Sequence, residues 1–429
     1  MTTALVVSRF FPFDPQRVHG LYQRLGTQVQ ALATVVDRVQ CLFLVPADQE
    51  RPPEVLREHE EWLRRLWSPA LSIRLAAVVD EAAPRSLWQR VGQGVFDFHK
   101  QAVARSISTT AAVRAVGAAL DTRPDIVLAH RLVSMSVLMR VARETPARIR
   151  AAPLFFDMDD IEHVTLLRRL LRDPSWPAER LLLSHVPALL LAEVRALRLA
   201  TATFVCSERD RRYLARIAPG GRVCIVPNSV AFPALANGEA TEPLVVFVGA
   251  MGYRPNAQAA DVLVQQIWPA VRAQIPDARL AIIGAGPEYA ASYRSSADGS
   301  VMFTGFVDDL QPWYRRARVV CCPIYHGGGT RVKIIEAAAH AKAVVSTRLG
   351  AEGLSFEDGR EIIVCDRAAE LAQAVVRLLA DPAAAARLGE AALRKARATY
   401  ERGAVVTQLA HIFRSACADS NAQRERGIA

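Results

Sequence analysis

No run of apolar residues in this chain is long enough to cross a bilayer, so a membrane-spanning helix is not expected. No Cys-x-x-Cys pair occurs. The 7 cysteines (Cys41, Cys206, Cys224, Cys321, Cys322, Cys365 and Cys417) are dispersed, mostly within apolar runs, and lack the spacing of a metal site. An odd, scattered set predicts reduced, buried thiols and a cytoplasmic setting. Aromatics are only 7% of the residues, no basic cluster is interleaved with them, and there is no polybasic tail. Nucleic acid is therefore not expected as a partner, although the formal charge is +10. That charge is spread and mostly arginine. It favours an anionic small substrate, with transient contact at an anionic inner membrane face as a further expectation. The opening MTTALVVSRFFPFDP has too short an apolar core for a signal peptide and reads as a strand. What remains is a globular profile, 51% hydrophobic and 22% charged, in 429 residues, enough for two ordinary domains.

The densest chemistry lies between Tyr325 and Val345, YHGGGTRVKIIEAAAHAKAVV. An apolar run of strand length, RVVCCPIY, leads into Gly327, Gly328 and Gly329, and Thr330 opens a segment of good helix formers. Strand, glycine loop and helix start form a phosphate-binding arrangement. Glycines let the backbone approach an anion, and the N–H groups and positive dipole end of the helix favour negative charge. Arg331 and Lys333 place two cations in that first turn, where a bare helix is better served by acids, so the pair predicts a bound anion. Glu336, at i+3 from Lys333, reaches the same face. The alternative is a plain turn with a Lys333–Glu336 surface pair.

In the first half, ALVVS, the loop RFFPFDPQRVHG, the helical LYQRLGTQVQALATVV and VQCLFLVP open a parallel α/β sheet. His19 and Gly20 lie beyond the first strand and before the first helix. Such sheets bind ligands there, so the two are candidate acceptor contacts, against a loop histidine with no task. EVLREHEEWLRRLW reads as helix, LSIRLAAVV as strand and SLWQRVGQGVFDFHKQAVARS as an amphipathic helix. PDIVLAHRL is a strand ending at His130. IRAAPLFFDMDDIEHV is another, ending in Asp157, Asp159, Asp160 and His163. Acids after a buried strand serve chemistry or cap the next helix. At least one of Asp159, Asp160 and His163 is expected to function, without the spacing of a metal site. Residues 164–200 read as two helices broken near DPSWP, with a packed hairpin favoured over a membrane-facing surface. TATFVCS and RVCIVPNSV are strands, with Ser207 capping the helix between them. The linker AFPALANGEATEP marks a domain boundary at 235/236.

The second half alternates strand and helix more regularly. LVVFVGAM, ARLAIIGAG, VMFTGFV, RVVCCPIY, AVVSTRLG and EIIVC are strands, and two helices follow over 367–380 and 382–399, with Asp381 and Pro382 as N-cap and N1 of the second. GAGP alone is a weak dinucleotide signal, without GxGxxG spacing. Four strands ending in small-residue loops, at Gly249, Gly284 to Gly286, Gly305 and Gly327 to Gly329, make a nucleotide cleft in a Rossmann-like domain.

The order and spacing of VVFVGAM, ARLAIIGAGP, VMFTGFVDDLQPWYRRARVVCCPIY, GGGTRVKIIEAAAHAKAVVSTRLGAEGL and LADPAAAARLGEAALRKARATY, covering residues 244–400, resemble the donor domain of retaining family-4 glycosyltransferases of the GT-B fold. GYRPN after the first strand and GGTRVK before Glu336 are similar to the sugar transferases of bacterial exopolysaccharide clusters. The resemblance implies an α/β protein of two Rossmann-like domains facing across a cleft. Residues 1–235 would meet a glycan or lipid-linked acceptor, and 236–400 a nucleoside-diphosphate sugar. Residues 401–429 would carry a helix back to the first domain, ending in a frayed tail. It implies sugar transfer with retention, with no cofactor and no metal, in the cytoplasm or at the inner membrane face. Donor contacts would come from Gly249, Arg254, Gly284, Gly286, Phe306, Val307, Gly327, Gly328, Gly329, Thr330 and Glu336. Arg331 and Lys333 would stabilise the leaving phosphate, and His130, Asp160 or His163 would orient acceptor or sugar. Glu336 matches the second glutamate of the family's EX7E motif, and Gly328 stands where the first would fall. Ala250 and Asn256 stand where many relatives carry a basic pair, with Arg254 as a substitute for one. Two other readings use the same loop: a nucleotide-sugar epimerase or hydrolase, and a non-catalytic relative that binds the nucleotide sugar.

Overall fold

A computed structural model describes residues 1–13, 20–78, 87–95, 97–101, 104, 107–172, 177–234, 242–294 and 299–425. The chain divides into two compact units, one of residues 1–227 with 403–429 and one of residues 228–402. The expected boundary at 235/236 lies outside the described residues. The division falls earlier because Val230 already belongs to the second unit, exchanging backbone hydrogen bonds with Tyr400 and Arg402 at 3.0 and 3.1 Å.

The first unit is built on a parallel sheet of β1 (Thr3–Ser8), β2 (Arg38–Pro46), β3 (Leu71–Val78), β4 (Ile126–His130), β5 (Leu154–Asp159), β6 (Ala202–Val205) and β7 (Val223–Ile225). Among the described residues the strand order is β3-β2-β1-β4-β5-β6-β7. Its central strands are apolar on both faces, as a sheet covered on both sides by helices requires. Leu5, Val7, Val127 and Phe156 fill one core, and Val6, Leu128 and Phe155 the other. The strand order reverses between the parallel neighbours β1 and β4, so a crevice opens at their C-terminal ends. The register Val7↔Ala129 and His130↔Asp157 brings Ser8, His130 and Asp157 to that edge.

Three helical regions of this unit bear on the sequence reading. The amphipathic run near residue 100 is not one helix. It forms Leu87–Gly94 and then a single turn, Phe98–Lys100, started by the Asp97 side chain accepting from the His99 N–H at 3.0 Å. A short acid that bonds the backbone two residues on, with Gly92 and Gly94 before it, outcompetes helix continuation. The hairpin over 164–200 consists of helices Glu162–Arg172 and Val186–Leu199 with a tighter turn, Pro177–His185, before the second. The long helix Arg402–Glu425 joins the first unit. Its Phe413 meets Phe155 edge-on at 4.8 Å and Phe204 at 5.7 Å.

The second unit repeats the design with β8 (Leu244–Val248), β9 (Arg279–Ile283), β10 (Val301–Gly305), β11 (Val319–Cys322), β12 (Ala343–Ser346) and β13 (Ile363–Val364). The order among the described residues is β10-β9-β8-β11-β12-β13, all parallel, with the reversal between β8 and β11. The helix after β8 runs from Arg254 to Gln274 but widens to a π turn over Leu263–Ile267. Pro269 has no N–H to donate to the preceding turn, and the wider turn absorbs that loss. Asp381 accepts from the Ala384 N–H at 2.9 Å and caps the helix Pro382–Tyr400. Among the described residues no helix is long and apolar enough to cross a membrane.

Candidate functional site

In the second unit the strand ends at the β8/β11 switch point converge on one small volume. Gly249 donates to Ile283 at 2.8 Å, Gly284 to Gly305 at 2.9 Å and Met251 to Ala285 at 2.8 Å, so the backbones after β8, β9 and β10 run on side by side. Gly284 has φ +149°, and a Cβ on it would lie 2.0 Å from the Gly249 carbonyl oxygen. Only glycine permits that approach. Across the switch, Gly327 has φ +100°, and its missing Cβ would touch the Tyr253 hydroxyl at 2.8 Å. The glycine loop therefore passes close beside the start of the helix Arg254–Val262. Gly286 and Gly329 are also left-handed, Gly328 is not, and Tyr289 lies over Gly286.

The helix after the glycine loop begins at Val332, two residues later than Thr330, and spans Val332–Ala339. Among the described residues no side-chain cap satisfies its N-terminus. Thr330 instead accepts a hydrogen bond from the Asn228 amide at 2.7 Å. The two cations divide. The Arg331 guanidinium folds back onto the carbonyls of Gly328 and Gly329 and braces the loop. The Lys333 ammonium reaches the end of β8, where it donates to Asn256 Oδ1 at 2.7 Å and sits 4.4 Å from the Phe247 ring centre. Gly249 makes room for it, since a Cβ there would lie 2.6 Å from the ammonium nitrogen. The Asn256 amide has one workable orientation, because its Nδ2 donates to the Ala250 carbonyl at 2.9 Å and its oxygen must face the cation. Burial pushes the Lys333 pKa down to about 8, with Arg331 adding to the shift and Cys322 and Glu336 opposing it. Glu336 is half-buried one turn on, and its carbonyl accepts from His340 Nδ1 at 2.8 Å. Arg254 and Phe306 are exposed, while Val307 is half-buried against the apolar cluster of Leu244, Val246, Ala281, Ile283 and Ala317.

The first unit carries a polar cluster at its own switch point. His130 is fully buried, with Nδ1 3.0 Å from Ser8 Oγ and Nε2 3.9 Å from Asp157 Oδ2. Among the described residues Nε2 has no hydrogen-bond partner. Burial lowers the His130 pKa to about 3, so the ring is neutral at ordinary pH. Asp157 is held by Arg24, whose Nε bonds both carboxylate oxygens at 3.0 and 2.9 Å. Arg131 and Asp159 both have left-handed backbones, φ +66° and +55°, and face each other at 3.7 Å. Non-glycine residues held this way store strain of about 1 kcal/mol or more and cluster at functional edges.

The remaining candidates lie differently. Asp160 accepts from the Thr165 hydroxyl at 2.9 Å, a bond inside the next helix start. His163 is buried, with Nδ1 on Glu193 and Nε2 2.5 Å from the Tyr213 hydroxyl, so both ring nitrogens are committed to the fold. His19 lies outside the described residues, and Gly20 opens the helix Gly20–Ala33. Sequence reasoning passed over Arg24, Arg131, Asn228 and Ser8, and gave Asn256 no task. None carries a local signal, since their partners are remote in the chain. Among the described residues no group of three or more His, Cys, Asp and Glu could hold a metal ion.

Residues 242–381 match the family model described as Glycosyl transferases group 1. Over 123 residues the chain is 31% identical to the lipopolysaccharide core biosynthesis mannosyltransferase LpcC of Rhizobium leguminosarum bv. viciae, covering 28% of this chain and 34% of that protein. The match thus spans about a third of the relative's length. Among solved structures, the sucrose-phosphate synthase of Thermosynechococcus elongatus aligns over 98% of this chain and 100% of its own, with TM-score 0.70 and 19% identity. Anabaena HepE in complex with UDP and glucose aligns over 97% and 100%, with TM-score 0.62 and 14% identity. At such identities the structural likeness establishes the fold, two parallel-sheet Rossmann-like domains of the GT-B class.

Proposed function

We propose that this chain, a group 1 glycosyltransferase by its residues 242–381 and GT-B in fold, moves a sugar from a nucleoside-diphosphate sugar to a hydroxyl of a glycan or lipid-linked acceptor. The configuration at the sugar is retained, no metal or cofactor takes part, and the product belongs to exopolysaccharide or another cell-envelope glycan. One observation carries the reading: the Lys333 ammonium and the uncapped start of the helix Val332–Ala339 share the edge where four glycine-bearing loops leave the sheet. That edge offers positive charge and open backbone, which is what a diphosphate needs.

In the reaction, the bond from sugar C1 to the diphosphate oxygen breaks. The acceptor hydroxyl oxygen bonds C1 on the same face, and its proton passes to the departing phosphate oxygen. Negative charge grows on that oxygen. Lys333, the helix end and the backbone of residues 327–330 stabilise it, with Arg331 holding the loop in shape. Glu336 binds the donor ribose, and the loop at Phe306 and Val307 meets the base. His130 and Asp160 are the first-unit groups offered to acceptor or sugar. The names of the relatives make UDP-sugars and nucleotide-linked mannose the first donors to assay.

Lys333→Ala is the test. Transfer should fall by about 10²–10³-fold, the loss typical of one oxyanion-stabilising group, with the melting temperature little changed. Wild-type activity in that variant would overturn the placement of the diphosphate. Gly328, in place of the first glutamate, favours one other reading, a non-catalytic binder. Nucleotide binding without turnover across a broad acceptor set would select it, and donor consumption without acceptor would select an epimerase or hydrolase.

A further inference from the structure

The loop after β9 reads GAGPEY and ends in an open ring. Tyr289 is 67% exposed, more than any other tyrosine, phenylalanine or tryptophan described in the second unit. Exposure alone means little for a single surface residue. This ring, however, is held in place. Gly286 is left-handed, φ +72°, and opens the tight turn Pro287–Tyr289, in which Tyr289 donates its backbone N–H to the Gly286 carbonyl at 3.1 Å. Pro287 fixes the backbone between the two. The side chain folds back over the loop. A Cβ on Gly286 would lie 2.7 Å from ring carbon Cδ2, and one on Gly252 would lie 3.9 Å from Cε2. One side of the ring is seated on glycines of two adjacent loops, and most of its surface stays open.

Tyr289 also stands at the edge that carries Lys333. The Lys333 ammonium fills the space beside Gly249. Three residues of chain, at most about 11 Å, lead from Gly249 to Gly252 under the Tyr289 ring. On the other side, Gly284 donates to Gly305 at 2.9 Å, so the loop after β9 adjoins the loop that carries Phe306 and Val307. By strand order, the loop of Tyr289 lies between the phosphate end of the site and that loop.

We propose that Tyr289 stacks on the base of the bound nucleotide. The inference rests on the proposed diphosphate site and adds the side chain that holds the nucleoside beyond it. Every nucleobase has a π face, and a ring already fixed by its turn receives one with little loss of side-chain freedom. A stack reads flatness and not the edge of the base. Tyr289 therefore raises affinity for the nucleotide as such, and choice among bases falls to the hydrogen-bonding groups of the neighbouring loop.

The experiment is calorimetric titration of the full chain with UDP, GDP, ADP and dTDP, with UDP-glucose and GDP-mannose, and with inorganic pyrophosphate. The nucleoside diphosphate that binds wild type should bind Tyr289→Ala about tenfold or more weakly, and pyrophosphate should bind both proteins alike. Tyr289→Phe keeps the ring and should bind as wild type does. Tyr293→Ala removes a neighbouring exposed ring that meets Phe303 edge-on at 5.3 Å, and it should change nothing. Tyr289 and Tyr293 are on the surface, so unchanged melting temperatures will confirm folded variants. Equal nucleoside-diphosphate affinity in wild type and Tyr289→Ala would overturn the inference, as would as large a loss in Tyr293→Ala. So would an equal loss of pyrophosphate, which makes the ring a prop for the loop, or a loss confined to the nucleotide sugars, which seats the sugar on it. Those four results leave the diphosphate site standing. Wild type that binds none of these ligands would overturn that site, and the inference with it.

Discussion

The Lys333 ammonium is held by an amide oxygen, an aromatic ring and the space left by a glycine, and none of the three neutralises it. Its charge stays available to a diphosphate. Because its folded pKa of about 8 lies below the ordinary 10.5, the unfolded chain binds more protons between those values. Stability of the second unit therefore rises as pH goes from about 8 to 10.5, and the cost of the buried charge is fully present below 8. Binding runs the other way. Affinity for a nucleoside diphosphate should fall as pH rises above about 8, and binding should be accompanied by proton uptake in that range. Asn256→Asp sets a carboxylate against the ammonium. It should move that pH limb upward and weaken diphosphate binding by roughly tenfold, about 1.4 kcal/mol, in calorimetric titrations. An unmoved limb would show that Asn256 does not hold the cation. The glycine loop and the helix after it were legible in the sequence because an apolar run, three glycines and a run of helix formers lie within one short stretch. Asn256 was not legible as the partner of Lys333, since 77 residues separate the two. Arg24 and Asp157 are 133 apart, and only the fold pairs them.

Among elements, the helix Glu162–Arg172 is fastened by a residue of another helix. Glu193 takes the His163 ring and backbone N–H, so one buried carboxylate both caps a helix start and fixes a histidine that had been a candidate for chemistry. Glu193→Ala leaves both groups without a partner and should cost about 3 kcal/mol or more, read as a lower denaturant midpoint. A neutral result would mean that water replaces the carboxylate. The helix Arg402–Glu425 is fastened by packing instead. Phe413→Ala empties the space beside Phe155 and Phe204 and should cost about 3–5 kcal/mol. Strands of both sheets were legible as apolar runs because a parallel sheet buries both faces. The run near residue 100 was misread as one helix because periodicity does not register the competing Asp97 side chain.

For the whole molecule, both sheets share one strand order about a central reversal, and each gathers its polar residues at that reversal. The chain leaves the first unit after Pro227 and returns at Gly403, so residues from both ends of the chain complete that unit. Composition pointed to a boundary at a linker, whereas the division follows the hydrogen bonds of Val230. A nucleotide bound at the β8/β11 edge should slow amide exchange in residues 249–256, 284–286 and 327–333 and leave the first unit's core unchanged.

The central claim, that the second unit binds the diphosphate of a nucleotide sugar, is tested most directly by thermal shift. Wild type, Lys333→Ala and Glu336→Ala would be melted against a panel of nucleoside diphosphates and nucleotide sugars. A ligand at about a hundred times its dissociation constant adds about 2.7 kcal/mol of stability. The account predicts a raised melting temperature with one nucleotide family, lost in Lys333→Ala and reduced in Glu336→Ala. No shift with any nucleotide, or an equal shift in all three proteins, would contradict it.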